Sequence, residues 1–600
     1  MKRTFSALAL AVLASADGLP AQAGYRFGSC HSGSHAEYAE LSIRSVYVTM
    51  RDGVRIALDL SLPANRGATQ RFPAILSFTR YGRAASPKMR RFGEFLAAHG
   101  YASVRVDERG TGASFGRWRA IWSPESIQDA GAVVDWVIAQ PWSTGLVGAT
   151  GISYDGTTAE LLAVTNHPAV RAIVPQFNDF DTYTFAFPGG IHLDSLVRQW
   201  SEHVHRLDQN TATGSPAKPV DADRDGRLLQ QAVRDHATNT RVYPSLEGTI
   251  YRDDRSPANG LSLDDFSVHS YRAEIEKSRV PIYAWASWLD AETPDGLLMR
   301  FRTFSNPQRA VLGPWSHGGL YHASQYQPVE TAVDPELLVQ WMEIVCFFEN
   351  YLKGRRNQLS QTGLAYYTMG EEEWKTTSVW PPRGSTTERW FFGAANTLSR
   401  TASTAATGAD EYAVGFEATT GTSNRWHTNV AGGDIAYPDR VLQDRLLLTY
   451  TSAPLDSDLE ITGHPVVTLY VTSTATDGAF FVYLEDVAPT GEVIYVTEGQ
   501  LRAIHRKVSG DPPPYRQLVP NHSFKRKDGM PVVPGQVTTL SFGLYPTSVL
   551  VKRGHRLRVA IAGYDRDTFA RIPAAGTPTI KVHRNRIHRS WIELPVIARK

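Results

Sequence analysis

The chain has 600 residues, of which 42% are hydrophobic and 20% are charged. These values are ordinary for a folded globular protein and exclude a largely disordered, collagen-like or coiled-coil chain. Lysine and arginine number 62 against 60 aspartates and glutamates, a net charge of +2 that provides no strong basic field for a nucleic-acid partner. At about 150 residues per domain, the length predicts three or four domains.

The first 23 residues have the pattern of an export signal. Lys2 and Arg3 precede a short, mostly apolar run at 7–16, and residues 21–23 (AQA) offer a signal-peptidase site. The run is too short to span a bilayer, and no later apolar run reaches the roughly 18 residues that a span needs. We therefore expect a periplasmic or secreted mature chain without a membrane span.

Two cysteines, Cys30 and Cys346, are present. This number excludes a multi-disulfide scaffold and a cysteine-based zinc site. Because Cys346 lies in an apolar helical pattern at 339–352, we expect it to be a buried thiol. The sequence leaves open whether the two cysteines meet.

Strand-like and helix-like segments alternate in the first part of the chain. The predicted strands are 45–50, 55–62, 72–78, 102–106, 146–150 and 172–175, and the predicted helices are 91–98 and 126–140. Such alternation predicts a mostly parallel sheet flanked by helices, here over residues 45–177.

The pattern changes twice further along the chain. Residues 178–275 lack regular strands and carry polar helical stretches such as 228–239, which predicts an inserted helical cap. Strands resume at 280–285 and 309–312, so residues 276–360 are expected to complete the first domain.

Repeated short strands separated by turns follow over residues 365–600. They predict a β-sandwich of jelly-roll type. The clearest predicted strands are 465–472, 478–484, 493–497 and 557–562, and the Thr-, Ala- and Gly-rich stretch 401–421 is predicted to be a loop.

The segment Gly151-Ile152-Ser153-Tyr154-Asp155-Gly156 follows a predicted strand and opens a predicted helix at 157–164. A strand-to-helix turn of this kind is the context of a nucleophile elbow, which lifts a serine hydroxyl above the sheet. The helix N-terminus favours the negative charge that develops during acyl transfer. Asp155 takes the place of the second glycine in G-x-S-x-G, and a structural Gly-Ser turn is the alternative interpretation.

Two further residues complete the order Ser, Asp, His that this type of elbow requires. Asp290 comes shortly after the predicted strand 280–285, and His317 comes shortly after 309–312. The carboxyl ends of parallel strands are where open α/β sheets place their sites. We therefore predict a triad of Ser153, Asp290 and His317, with Asp295 as the alternative acid.

Together with the elbow, several stretches carry a family resemblance: 107–112 (DERGTG), 140–143 (QPWS), 148–156, 313–317 (GPWSH) and 459–463 (LEITG). Over residues 45–600 the chain resembles the serine hydrolases that include cocaine esterase, α-amino-acid ester hydrolases, glutaryl-cephalosporanic acid acylases and Xaa-Pro dipeptidyl-peptidases. The resemblance implies an α/β-hydrolase fold with an inserted helical cap and a C-terminal jelly roll.

The resemblance also implies roles for individual residues. Ser153 matches the nucleophile, His317 the general base and acid, and Asp290 its orienting partner. The backbone amide of Tyr154 and the phenol of Tyr81 match the two oxyanion donors. Two donors aimed at the oxygen that becomes negative are what acyl transfer needs.

Substrate recognition is implied less completely. In the α-amino-acid ester hydrolases a carboxylate cluster holds the substrate ammonium group, with members two and three positions after the catalytic acid. Here Glu292 and Thr293 occupy those positions, and Asp181 could supply a second carboxylate, with structural capping as the alternative. Trp142 and Trp315 are candidate aromatic linings of the pocket, with core packing as the alternative.

The segment that contains Asp221, Asp223 and Asp225 matches the opening of an EF-hand loop. Ala232 stands where the bidentate glutamate of such a loop belongs, so a polar turn is the alternative to a calcium site. No metal or cofactor is expected to take part in catalysis.

We therefore expect an exported serine hydrolase that cleaves small acyl esters, amides or short peptides through an acyl-enzyme intermediate. The alternatives are an Xaa-Pro dipeptidyl-peptidase, a glutaryl-type acylase, or a glycan-binding protein with an inert hydrolase domain. No nucleic-acid partner is expected, and the sequence leaves open whether the chain forms a homo-oligomer.

Overall fold

A computed structural model describes residues 26–30, 36–65, 67, 69–84 and 86–599 of the chain. The predicted export signal at 1–23 lies outside the described residues. The fold consists of two large sheets, with a set of helices inserted into the part of the chain that builds the first.

The first sheet has the following strands: β1 Leu41–Thr49, β2 Arg55–Pro63, β3 Phe72–Thr79, β4 Ala102–Asp107, β5 Ser143–Ile152, β6 Val170–Gln176, β7 Ile282–Ser287, β8 Gln308–Gly313, β9 Gly363–Thr368 and β10 Glu373–Thr377. Their order is β1-β2-β4-β3-β5-β6-β7-β8-β9-β10. The pairs between β4 and β9 are parallel, and β1, β2 and β10 are antiparallel additions at the edges.

The helices, in chain order, are α1 Pro87–Ala98, α2 Pro124–Ile138, α3 Tyr154–Leu161, α4 Thr182–Ala186, α5 Asp194–Asp208, α6 Arg227–Asp235, α7 Val242–Ser245, α8 Arg272–Ser278, α9 Thr293–Thr303, α10 Leu337–Leu352 and α11 Thr428–Ala431. Every residue of β7, β8 and β9 is buried, as in parallel strands that helices cover on both faces. None of the helices in the described residues has the length and apolar character to cross a membrane.

Helices α4 to α8 lie between β6 and β7, where the described residues contain no strand. Buried ion pairs help to hold this cap in place. Arg80, directly after β3, binds Asp208 of α5 at 3.0 Å with both side chains nearly inaccessible to solvent. This pair connects the cap to the end of the sheet at which β3 terminates.

The second sheet is built from β11 Ser385–Phe392, β12 Thr397–Ser399, β13 Ala409–Ala413, β14 Leu448–Ser452, β15 Leu459–Gly463, β16 Val466–Ser473, β17 Ala479–Val487, β18 Val493–Arg502, β19 Thr538–Gly543, β20 Thr547–Val551, β21 Arg556–Ala562, β22 Thr579–His583 and β23 Trp591–Ile597. The main path is β13-β22-β16-β23-β11-β12-β14-β21-β17-β18, with β19 on β16, and β15 joining β20 to β23. A β-rich C-terminal region is confirmed, and jelly-roll connectivity stays a prediction.

Two details differ from the sequence expectations. The β-rich region was expected to begin at residue 365, but this position lies inside β9, which extends the first sheet by pairing parallel to β8. The predicted loop at 401–421 contains β13, which pairs antiparallel with β22. A short polar edge strand has little apolar alternation, so its partner and not its own composition determines it.

Cys346 is not the buried free thiol that the helical pattern predicted. It forms a disulfide with Cys30, which ties residues 26–30 to α10. Phe27 anchors the same segment by packing on Trp285 and Trp374, with ring centroids 5.0 and 4.8 Å apart.

Candidate active site

Ser153 stands between β5 and α3 in a conformation that L-residues rarely adopt, with φ 62° and ψ −129°. Its backbone N–H donates to the carbonyl of Gln176 at 2.9 Å, which holds the turn against β6. A Cβ at Gly151 would lie 2.3 Å from the carbonyl oxygen of Asp155, and one at Gly156 would lie 2.7 Å from that of Gln176. The two glycines are therefore required for the turn to close, and the strain is characteristic of a functional site.

Asp290 and His317 form a hydrogen-bonded pair beyond the carboxyl ends of β7 and β8. The Nδ1 atom of His317 lies 3.0 Å from both carboxylate oxygens of Asp290, which is fully buried. Asp295, the alternative acid, instead contacts Nε2 of His464 at 2.8 Å. Asp290 is therefore the carboxylate that orients the His317 ring.

Asn429, on α11 of the C-terminal region, was not identified from the sequence. Its side-chain amide donates to Oδ1 of Asp290 at 3.0 Å, next to His317 Nδ1 at 3.1 Å. No local pattern could have identified Asn429, because it is 139 residues from Asp290 and lies in a short polar helix. The β-rich region thus contributes a side chain to the site.

The Tyr81 phenol lines the cavity with Ser153 and accepts a hydrogen bond from Nε1 of Trp200 at 2.9 Å. Burial raises the pKa of Tyr81 to about 12, so the phenol keeps its proton at neutral pH. Because Trp200 uses an acceptor position of the phenol oxygen, the phenol proton remains free for an acceptor at Ser153.

The backbone N–H of Tyr154 opens α3, where the first amides of a helix have no intrahelical acceptor. Its side chain is held away from the reacting position: the phenol donates to Glu108 and accepts from Nε1 of Trp118 at 3.2 Å. The rigid ring fixes the direction of the backbone amide next to Ser153.

A cavity of about 460 Å³ opens over this site, and Ser153, His317, Tyr81 and Tyr154 all line it. Much of the remaining wall is apolar and comes from the cap. Examples are Phe185, Leu196, Val197, Leu246, Leu263 and Phe266. The volume is in the range of pockets that take drug-sized ligands.

The two candidate tryptophans do not line the cavity. Trp315 is fully buried in the core below the sheet, stacked on Trp285 with centroids 6.0 Å apart, and its Nε1 donates to the carbonyl of Asp334. Trp142 is likewise a core residue of the hydrolase domain. Both side chains follow the core-packing alternative, since the interior offers each ring more contact than the site does.

Asp181 is also directed away from the cavity. It caps α4 by accepting the backbone N–H groups of Tyr183 and Thr184, binds the Arg252 guanidinium at 2.7 Å, and accepts from the Tyr515 hydroxyl at 2.6 Å. The nearby positive charge of Arg252 holds the pKa of Asp181 well below its usual range. Its oxygens are fully occupied, so it serves as a capping carboxylate.

Glu292 is buried at the start of α9 and does not line the cavity. It lies beside Asp179, which does line the cavity and which sequence reasoning missed. Burial raises the pKa of both carboxyls; the negative charge of Asp181 adds to the rise at Asp179, and that of Asp179 adds to the stronger rise at Glu292. The sequence did offer an indication of Asp179, because it follows the same strand end as Asp181, two positions earlier in the chain.

The segment with EF-hand character forms a polar turn. Asp223 accepts backbone N–H groups at the start of α6 at 3.0 and 2.8 Å, Asp221 accepts a backbone N–H of β1, and Asp225 pairs with Arg227 at 3.1 Å. These carboxylates are occupied by local hydrogen bonds and an ion pair.

A strained serine on an elbow, a histidine oriented by a buried aspartate, and a parallel sheet under a cap define a serine hydrolase with an α/β-hydrolase fold. The family profile described as X-Pro dipeptidyl-peptidase (S15 family) matches residues 52–319, and the profile of its C-terminal non-catalytic domain matches 359–591. The chain belongs to this S15 family, as the sequence resemblance predicted.

Named relatives include both esterases and peptidases. A putative serine esterase of Mycobacterium bovis is 43% identical over 94% of this chain and 97% of its own length. Cocaine esterase of a Rhodococcus species is 28% identical over 92% and 98% of the two chains. Among solved structures, an α-amino acid ester hydrolase covers 96% of this chain and 100% of its own, with a TM-score of 0.69 at 20% identity, which supports the fold.

Proposed function

We propose that this serine hydrolase cleaves carboxylic esters through an acyl-enzyme formed on Ser153. The observation that supports this proposal most strongly is the convergence on one cavity of Ser153, the Asp290-oriented His317 and the Tyr81 phenol. The relatives with 43% and 28% identity are a putative serine esterase and a cocaine esterase.

The geometry supports a sequence of proton transfers. His317 takes the proton of Ser153 as the serine oxygen attacks the ester carbonyl, and Asp290 stabilises the imidazolium that forms. The Tyr81 phenol and the Tyr154 amide hold the resulting oxyanion. His317 then gives its proton to the leaving alcohol, and a water activated by the same ring hydrolyses the acyl-enzyme.

The cavity favours an acyl or alcohol group that is bulky and largely apolar. Side chains of α5 and of the segment after α7 form much of its wall, and burying such a group gains about 25 cal/mol per Å² of apolar surface removed from water. A small polar ester would leave most of this apolar wall in contact with water.

Amines are the second candidate substrate class, as expected of a dipeptidyl-peptidase or an α-amino ester hydrolase. Asp179 favours it, because a carboxyl that lines the cavity could receive a substrate ammonium group. A putative Xaa-Pro dipeptidyl-peptidase of Streptomyces avermitilis is 24% identical over 82% of this chain. A glutaryl-type acylase remains the other alternative within the enzymes.

We further propose that the mature chain is exported to the periplasm or the medium. The export pattern at the N-terminus motivates this proposal, and the disulfide between Cys30 and Cys346 supports it, since disulfides persist mainly in oxidising compartments. Fractionation of cells with an antibody to the protein tests it, and a full-length cytosolic product would contradict it.

The decisive experiment measures hydrolysis by the purified mature chain and its Ser153→Ala variant. The panel holds phenyl butanoate, an α-amino acid phenyl ester, a glutaryl amide and a dipeptidyl-proline anilide. We expect the simple ester to be preferred and all activity to disappear in Ser153→Ala. Preference for the α-amino acid phenyl ester would add an ammonium group to the proposed ester substrate, and preference for the glutaryl amide or the dipeptidyl-proline anilide would replace the ester proposal. Failure of a serine-directed phosphonate to label Ser153 would refute the acyl-enzyme.

A further inference from the structure

Lys88 lines the same cavity as Ser153, from the first turn of α1. Its ammonium donates one hydrogen bond, 3.1 Å long, to the backbone carbonyl of Gly318. Gly318 directly follows His317, so the charge of Lys88 stands beside the loop that carries the general base.

No carboxylate among the described residues forms an ion pair with Lys88. Burial alone lowers its pKa to about 8. An ammonium offers three N–H donors, and the described residues supply an acceptor for one of them. Lys88 is half-buried at the cavity wall, and a cation enclosed in this way is stabilised by a paired anion, so its remaining donors are available to an acceptor on a bound ligand.

The other charged groups that line the cavity are differently placed. Arg105 pairs with Asp155 at 3.8 Å, below the elbow. Asp254 accepts backbone N–H groups and binds Arg526 at the surface, and Asp179 lies beside Glu292. Among the described residues that line the cavity, Lys88 is therefore the cation that has no carboxylate partner.

We propose that Lys88 binds a carboxylate carried by the substrate, so that the natural ester is anionic as well as bulky and apolar. This inference rests on the proposed ester hydrolysis and specifies its substrate class. The carboxylate could belong to the acyl group or to the alcohol, since Lys88 lies beside His317, which serves both steps.

Paired substrates separate these possibilities. Monophenyl adipate is compared with its methyl ester to place the charge on the acyl side, and 3-carboxyphenyl butanoate is compared with phenyl butanoate to place it on the alcohol side. We expect the wild type to prefer the charged member of one pair. In Lys88→Met that preference should fall by about 10- to 100-fold, the range for a hydrogen bond to a charged group, mainly through KM.

Two variants complete the design. Lys88→Arg retains the charge and is expected to retain most of the preference. Arg90→Met removes a charge from the same helix, but Arg90 points to solvent and pairs loosely with Glu94 at 3.5 Å, so we expect no change on any substrate.

The hydrogen bond to Gly318 suggests an alternative, purely structural role, in which Lys88 stabilises the loop that carries His317. In that case Lys88→Met would slow charged and neutral esters equally, and this result would overturn the proposal. Equal rates on both members of both pairs in the wild type would overturn it as well.

A binding measurement keeps this test separate from that of the esterase proposal. Monophenyl adipate and 3-carboxyphenyl butanoate are titrated calorimetrically into Ser153→Ala, with and without Lys88→Met. Weaker binding of either charged ester in the double variant supports Lys88 even if the wild type hydrolyses no ester. If both charged esters bind equally well with and without Lys88→Met, the inference is overturned, whatever the hydrolysis results are.

Discussion

The hydrogen bond from Asn429 to Asp290 predicts that the β-rich region takes part in catalysis. Asp290 is fully buried, and its Oδ1 atom receives hydrogen bonds from His317 and from the Asn429 amide, each 3.0 Å long. In Asn429→Ala this oxygen keeps only the hydrogen bond from His317. A hydrogen bond to a charged group contributes about 1.5–3 kcal/mol, which corresponds to a loss of about 10- to 100-fold in kcat.

Steady-state hydrolysis of phenyl butanoate measures the effect, and we expect KM to change little because Asn429 orients the acid and base pair. Asn65→Ala is the matched control: this amide also donates to a carboxylate, Glu40 at 2.8 Å, but on the exposed surface. We expect wild-type kinetics from the control.

Asn429→Asp extends the test without changing the size of the side chain. It places a second carboxylate against Asp290, and like charges in a buried site disfavour ionisation of both. We expect a larger loss than in Asn429→Ala. If both variants melt at the wild-type temperature and keep kcat within about threefold, the reasoning is refuted, since the lost interaction would be worth less than about 0.7 kcal/mol.

Three further predictions concern the oxyanion donor, the disulfide and the acid beneath the elbow. Tyr81→Phe should lower kcat about 100-fold at similar KM in steady-state kinetics, because one oxyanion donor is lost; an unchanged kcat would exclude that role. Reductant should destabilise the wild type by about 2–5 kcal/mol in denaturant titrations, and leave the Cys30→Ser/Cys346→Ser variant unaffected. Burial raises the pKa of Asp155 from 3.8 to about 7. Between these pH values the folded state therefore binds one proton more than the unfolded state, so the free energy of unfolding should fall as the pH rises from about 4 to about 7. In Asp155→Asn this fall, which amounts to at most about 4 kcal/mol, should disappear. Denaturant titrations at several pH values measure it, and parallel curves for the variant and the wild type would contradict the prediction.

The elbow shows what local sequence can predict. Gly151, Ser153 and Gly156 are placed by a strand that ends and a helix that begins within a few residues, so the turn was recognisable from its own segment. Asp290 and His317 were found in the same way, because each comes shortly after a buried apolar strand. Parallel strands then bring their carboxyl ends to one edge of the sheet.

Other candidate site residues took their structural alternatives because their environment is made by distant segments. Trp315 follows a strand just as His317 does, yet packs into the core against Trp285. Asp181 stands at the expected strand end, but Arg252 and Tyr515, which are 71 and 334 residues away, occupy its oxygens. Composition does not reveal such partners.

The sequence alone determined the features that depend on neighbours along the chain: the α/β-hydrolase class, the β-rich tail, the elbow at Ser153 and the order of the predicted triad. Tertiary structure decided the features that depend on side chains meeting across hundreds of residues. These include Asp290 rather than Asp295 as the partner of His317, Asn429 behind that pair, the link between Cys30 and Cys346, and the charge of Lys88 in the cavity. The physical reason is that backbone periodicity is a local property, whereas the partner of a buried polar group is set by packing of the whole chain.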